Sequence, residues 1–112
     1  MALAIPPDTP ADISLFVEDG KYVFRVDESR AIYVYDRDKA GTPTCTNECS
    51  RRWPPVIASK GSKPAGAWTL VELADRSMQW CYRNRPVYTK ADDKPGETSG
   101  DGGEGVWHVV VP

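Results

Sequence analysis

Residues 32–55, IYVYDRDKAGTPTCTNECSRRWPP, constrain the fold more than any other stretch of this chain: a strand, a Gly/Pro turn, two cysteines four positions apart and a Trp-Pro-Pro exit follow one another without a gap. Ile32 and Val34 alternate with Tyr33 and Tyr35, so both faces of the strand from Ala31 to Tyr35 carry large side chains and the strand should lie centrally. Lys39 to Pro43 can only turn. Thr44 or Thr46 is then placed to cap a short helix over both cysteines, which Pro54 must end. The residue before a proline is driven to extended backbone, so Trp53 leaves the segment at a fixed angle suited to anchoring in a core.

The rest of the chain reads as hairpins. Residues 1–12 hold three of the ten prolines and no alternation, and form a flexible lead to a single β-rich domain at 13–112. Ile13 to Val17 and Lys21 to Val26 flank Asp19-Gly20, a strong hairpin signal, and a second turn at Asp27-Glu28-Ser29-Arg30 returns the chain to the central strand. Trp68 to Leu73, Ser77 to Tyr82 and Pro86 to Lys90 give further strands, with a tight turn at Asn84 and an exposed loop at Ser59 to Gly66. Val106 to Val111 should be a buried strand holding His108 as a hydrogen-bonded core residue. The expected fold is mainly β: a small antiparallel domain of two pseudo-repeated hairpin units, with one short helix near the cysteine pair.

The repeat is visible as Tyr33-Val-Tyr-Asp-Arg-Asp-Lys-Ala-Gly against Tyr88-Thr-Lys-Ala-Asp-Asp-Lys-Pro-Gly, which sets Asp38 opposite Asp93. Tyr22-Val-Phe-Arg aligns upstream with Trp80-Cys-Tyr-Arg, and Trp53 aligns downstream with Trp107 after a one-residue slip. Two copies do not make a solenoid; two such hairpins bury a shared aromatic face against each other. Asp38 and Asp93 are each expected to bond backbone N–H groups two or three residues on, in their own turns.

These stretches, together with Cys45-x-x-x-Cys49, Trp53-Pro54-Pro55, Gln79-Trp80, Pro86-Val87-Tyr88 and Trp107-His108-Val109-Val110, resemble the secreted lipoproteins that carry a Tyr-x-aromatic-x-x-Asp motif, a secreted repeat of unknown function. Tyr33, Tyr35 and Asp38 fill the motif in the first copy. The second keeps Tyr88 and Asp93 but has Lys90 where the aromatic belongs. The resemblance spans about Tyr22 to Val111 and implies export to the periplasm or extracellular space, often with a lipid anchor on an N-terminal cysteine of the precursor, and no established reaction. Cys81 departs from the family pattern.

Composition excludes some partners. A net charge of −2 provides no basic field for nucleic acid, and no run approaches the roughly 18 apolar residues of a membrane span. Three cysteines allow one intrachain disulfide, and Cys45 with Cys49 is the expected pair, since a turn brings residues four apart within the roughly 4.4–6.8 Å that a disulfide spans between Cα atoms. Cys81 is left over and permits a disulfide-linked dimer.

Other chemistries stay open. Cys45, Cys49, Cys81 and His108 together offer three sulfurs and an imidazole, which suits zinc or copper, and His108 or Met78 can ligate noncovalent haem. The loop with Asp92, Asp93, Glu97, Asp101 and Glu104 offers carboxylates to calcium but lacks the EF-hand spacing. An enzyme built on Tyr33, Asp38 and that loop is the weakest reading, because no nucleophile and base are jointly indicated. The sequence favours a noncatalytic, exported cell-envelope domain that binds an envelope protein or a small ligand; its rival is a periplasmic redox, metal- or haem-handling protein.

Overall fold

Left-handed backbone at a few turn residues decides where the strands pair. In the computed structural model, which describes residues 5–27 and 29–112, the elements in chain order are β1 (Ser14–Glu18), β2 (Lys21–Val26), β3 (Arg30–Ala31), β4 (Tyr33–Tyr35), α1 (Glu48–Arg52), β5 (Trp68–Glu72), β6 (Met78–Tyr82), β7 (Arg85–Tyr88), a tight helical turn at Gly103–Gly105, and β8 (Trp107–Val109). Glu18 faces Lys21 across Asp19 and Gly20, with φ of 52° and 75°, and Tyr82 faces Arg85 across Arg83 and Asn84, with φ of 49° and 68°. Two-residue turns with both φ values positive match the right-handed twist of the strands they join. Both expected hairpins therefore form. β2 then pairs β3 with Val26 opposite Arg30; of the expected turn there, Glu28 lies outside the described residues.

The described residues are mainly β, with a three-stranded sheet in the order β1-β2-β3, a five-stranded sheet in the order β5-β6-β7-β4-β8, and among them one α-helix beside the Cys45–Cys49 disulfide. The central strand expected from Ala31 to Tyr35 is divided at Ile32: β3 belongs to the first sheet and β4 to the second. This break ties the two sheets together through one stretch of chain.

The strand registers reveal the repeat in full. Leu15 pairs with Phe24 as Leu70 pairs with Trp80, and Val26 with Arg30 as Tyr82 with Arg85. Val110 donates its N–H to the Ile32 carbonyl at 2.9 Å, and Val56 donates to the Val87 carbonyl at 3.1 Å. Pro55 bridges to Tyr88 as Val109 pairs with Tyr33. Residues 53–56 thus repeat residues 107–110, which hold β8, and β1–β2–β3–β4 repeats β5–β6–β7. The upstream alignment shifts, however: Phe24, not Tyr22, is the counterpart of Trp80. Strand alternation has a period of two, so a slip of two residues keeps every side chain on its face and leaves no mark in the sequence pattern.

Tyr33 lies opposite Tyr88 in the β4–β7 pair, so a residue faces its own counterpart and marks a local two-fold axis. On one side of the central strands lies a core of counterparts, with Ile13, Phe24, Val26 and Ile32 from one unit against Trp68, Trp80, Tyr82 and Val87 from the other. Phe24 meets Trp68 and Tyr82 edge-on, each with ring centroids 5.0 Å apart, the arrangement that ring quadrupoles favour. Residues 5–10 carry no regular structure, but Asp12 is docked: its carboxylate accepts Trp80 Nε1 at 3.0 Å and the Ser59 N–H at 2.8 Å.

Candidate functional site

The other side of the central strands holds a second cluster of Ala31, Tyr33, Cys45, Trp53, Tyr88 and Trp107, which contains the motif tyrosines Tyr33 and Tyr88 and has Tyr35 packed against it. Strand alternation turns Tyr33 and Tyr88 away from the first core, and their hydroxyls must then find partners because both residues are fully buried. Each finds them in the opposite unit. Tyr33 donates to Asp93 Oδ2 at 2.5 Å, and Tyr88 donates to Asp38 Oδ2 at 2.8 Å. The motif therefore does not pair a tyrosine with the aspartate five positions on in the same copy; the two copies exchange partners.

The aspartates are held from behind in the same way. Asp38 Oδ1 accepts both the N–H and the hydroxyl of Thr44 at 2.7 Å, and Asp93 Oδ1 accepts the hydroxyl of Ser99, in each case six residues on. The residues that follow complete the arrangement: the Gly100 N–H donates to the Tyr33 hydroxyl at 3.2 Å, and the Cys45 backbone N–H lies beside the Tyr88 hydroxyl. Asp38 and Asp93 thus reach beyond their own turns, contrary to the expectation of a bond two or three residues on. Burial pushes both tyrosine hydroxyls well above their ordinary pKa, and the facing carboxylates push them further. A phenol so held keeps its proton at neutral pH and acts as a fixed donor, not as a base or nucleophile.

The anchoring tryptophans meet on the axis. Trp53 and Trp107 stack with centroids 3.8 Å apart and planes 4° from parallel. Tyr33 stands edge-on to Trp53 and Tyr88 edge-on to Trp107, both at 5.3 Å. Tyr35, the motif aromatic, stacks on Trp107 at 4.2 Å. Its counterpart Lys90 takes a related place, since a Cβ built on Gly100 would lie 2.6 Å from the Trp53 ring and 2.8 Å from Lys90 Cδ. Gly100 is where Lys90 and Trp53 close over the backbone.

Cys45 and Cys49 form the disulfide, with Cα atoms 5.1 Å apart. The helix beside it is shorter than expected. Thr44 is occupied by Asp38, α1 begins at Glu48 after Asn47 with no side-chain cap, and Cys45 lies outside it. Cys81 is a free thiol on β6, 1 % exposed, and burial followed by the charge of Asp38 pushes it up to about 11. A sulfur so enclosed does not present itself to a second chain, and a dimer linked through Cys81 is not supported. His108 is half-exposed, not a core residue: on the edge strand β8 it meets Asp36 Oδ2 at 2.6 Å, beside the Arg85–Asp36 ion pair at 3.3 Å. The structure does not bring Cys45, Cys49, Cys81 and His108 together, and among the described residues no three His, Cys, Asp or Glu side chains form a metal-ligating group. The acidic loop is occupied by local bonds: Asp92 with Lys90, Glu97 with the Lys94 N–H, and Asp101 with the Val109 N–H.

Sequence reasoning missed a groove of about 590 Å³ between the loop carrying the disulfide and the β5–β6 hairpin. Pro43, Cys45, Pro55, Val71, Leu73 and Ala74 give it apolar walls, Glu72 and Asp75 an acidic rim, and Gln79 contributes to its lining from below the surface. Gln79 is fully buried; its Nε2 donates to the Val87 carbonyl at 2.9 Å, and its Oε1 has no partner. The signal was available in Gln79 itself, a polar residue inside an otherwise apolar and aromatic strand, MQWCY.

Among the described residues no helix is long and apolar enough to cross a membrane. No curated protein and no solved structure matches the chain. The family described as a secreted repeat of unknown function matches residues 69–111, which are the second unit from β5 through β8. Over residues 69–111 the chain is therefore similar to that family, and residues 14–57 trace the same strand path beside it.

Proposed function

We propose that the protein is a noncatalytic, exported cell-envelope domain whose two clasped repeats form a rigid module for binding or interaction, in the periplasm or outside the cell. One observation carries this reading: the motif residues Tyr33, Asp38, Tyr88 and Asp93 are all consumed in holding one repeat to the other. Buried groups whose hydrogen-bonding capacity is met by protein partners are a framework, and no nucleophile lies beside a base among them. The family's description as secreted and the Cys45–Cys49 disulfide, a bond that is common in oxidising compartments and rare in reducing ones, both support export. A lipid anchor on the precursor, as in the lipoproteins the chain resembles, would hold such a module at a membrane.

The test is to compare the thermal transition of the wild type with Tyr88→Phe and Asp38→Asn, and to assay all three against generic ester, phosphate and glycoside substrates. The reading expects both variants to unfold at lower temperature and no turnover by any of them. Turnover abolished by Tyr88→Phe with an unchanged transition would sink it.

A further inference from the structure

We infer that the groove beside the disulfide is a ligand site for an aromatic amine, a flat apolar ring bearing an N–H and carrying a cationic group. The inference rests on the binding-module reading and names the ligand class of that module. Three independent features of the groove converge on this chemistry.

The first is the orphan acceptor. The Val87 carbonyl fixes the orientation of the Gln79 amide, because only Nε2 can donate to it, and Oε1 is thereby turned elsewhere with nothing to accept. Buried acceptors without partners are rare in native proteins, and each calls for a reason. Here the repeat supplies a comparison. Phe16 faces Val23 as Val71 faces Gln79, so the counterpart of Gln79 is Val23, an apolar residue of similar placement. The strand position does not require an amide. The second unit carries a buried polar group that the first does without, and it carries it in the groove.

The second feature is shape and polarity. Val71, Leu73 and Ala74 on one wall and Pro43, Pro55 and the disulfide on the other enclose a space in the range of small-molecule sites, apolar with few polar groups. The third is charge. Glu72 and Asp75 stand at the rim and no Lys, Arg or His lines the groove, so an anion is disfavoured and a cation attracted. A ring N–H given to Gln79 Oε1, an aromatic body between the walls and an ammonium group toward Glu72 satisfy all three at once.

Tryptamine serves as the probe, with 1-methyltryptamine lacking the ring donor and indole-3-acetate reversing the charge. Each is titrated into the ¹⁵N-labelled full chain and followed by amide chemical shifts. Tryptamine should move the signals of Val71 to Asp75 and the Gln79 side-chain amide saturably. Methylation of the ring nitrogen should weaken this about tenfold, the cost of leaving the acceptor unpaired. Indole-3-acetate should not saturate the site, and the exposed Glu72→Gln variant should weaken both ammonium-bearing probes, tryptamine and 1-methyltryptamine. Equal affinity for the three probes, or no shift in the groove at millimolar probe, overturns the inference. Shifts confined to another surface overturn the groove while leaving the binding-module reading in place; that reading falls only on the turnover test.

Discussion

At the scale of single residues, the protein's stability is tied to two protons. Tyr33 and Tyr88 each keep a phenolic proton between a buried oxygen and a carboxylate of the other repeat, and each is raised above the ordinary tyrosine value of about 10. The unfolded chain loses these protons at about pH 10 while the folded chain retains them, so the unfolded state binds fewer protons and stability must fall as pH rises from there. Cys81, raised to about 11, adds to the fall from about pH 9. Urea unfolding between pH 7 and 11 should therefore show a flat region and then a steep loss, and Tyr33→Phe with Tyr88→Phe should flatten the loss while lowering the plateau. A profile for the double variant that runs parallel to the wild type would remove the tyrosines from this role. The Tyr-x-x-x-x-Asp spacing pointed to these residues but not to their pairing. Spacing within one copy contains no information about which copy the aspartate faces; that depends on β4 and β7 meeting in antiparallel register at Tyr33 and Tyr88.

At the scale of elements, local chemistry was legible where it had no competitor. The turns at Asp19-Gly20 and Asn84 form because residues that tolerate positive φ sit between two β-rich runs, Arg83 being carried into the same conformation beside Asn84. The helix is shorter than expected because one of its two expected caps is drawn elsewhere: Asp38 binds Thr44, and α1 starts at Glu48 after Asn47. Competition by a side chain six residues upstream is a tertiary fact. Gly100 belongs to the same class, since nothing in its neighbours in sequence announces that Trp53 and Lys90 press on it. Gly100→Ala should cost about 1–3 kcal/mol through overpacking, read by chemical denaturation, even though its backbone needs no left-handed angle. Gly61→Ala is a poor control, because its φ of 85° brings backbone strain of its own; Ala67→Ser, at an exposed loop position, should change stability little.

At the scale of the whole molecule, the two repeats are interlocked and not merely adjacent. The first core takes its rings from both units, the Trp53–Trp107 stack joins them on the axis, and β4 sits in the five-stranded sheet between β7 and β8. A fragment of residues 68–112, though it contains the whole family match, would expose Trp80, Tyr82 and Trp107 and leave the Tyr88 hydroxyl without its carboxylate. Burying an aromatic side chain contributes about 1.5–3 kcal/mol, so losing several such contacts exceeds the stability a small domain has to spare. The fragment should lack a cooperative unfolding transition and show no dispersed amide spectrum, whereas mixing it with residues 5–67 should restore both. The repeat itself was readable in sequence; that its copies exchange partners was not.

The exchange of partners is the central claim, and double-mutant cycles test it most directly. Tyr33→Phe with Asp93→Asn, and Tyr88→Phe with Asp38→Asn, should each show a coupling energy of about 1–3 kcal/mol in urea unfolding, as expected for buried hydrogen bonds to charged groups. The within-copy combinations, Tyr33→Phe with Asp38→Asn and Tyr88→Phe with Asp93→Asn, should be additive within about 0.5 kcal/mol. Coupling within copies and additivity between them would contradict the clasp and return each motif to its own repeat.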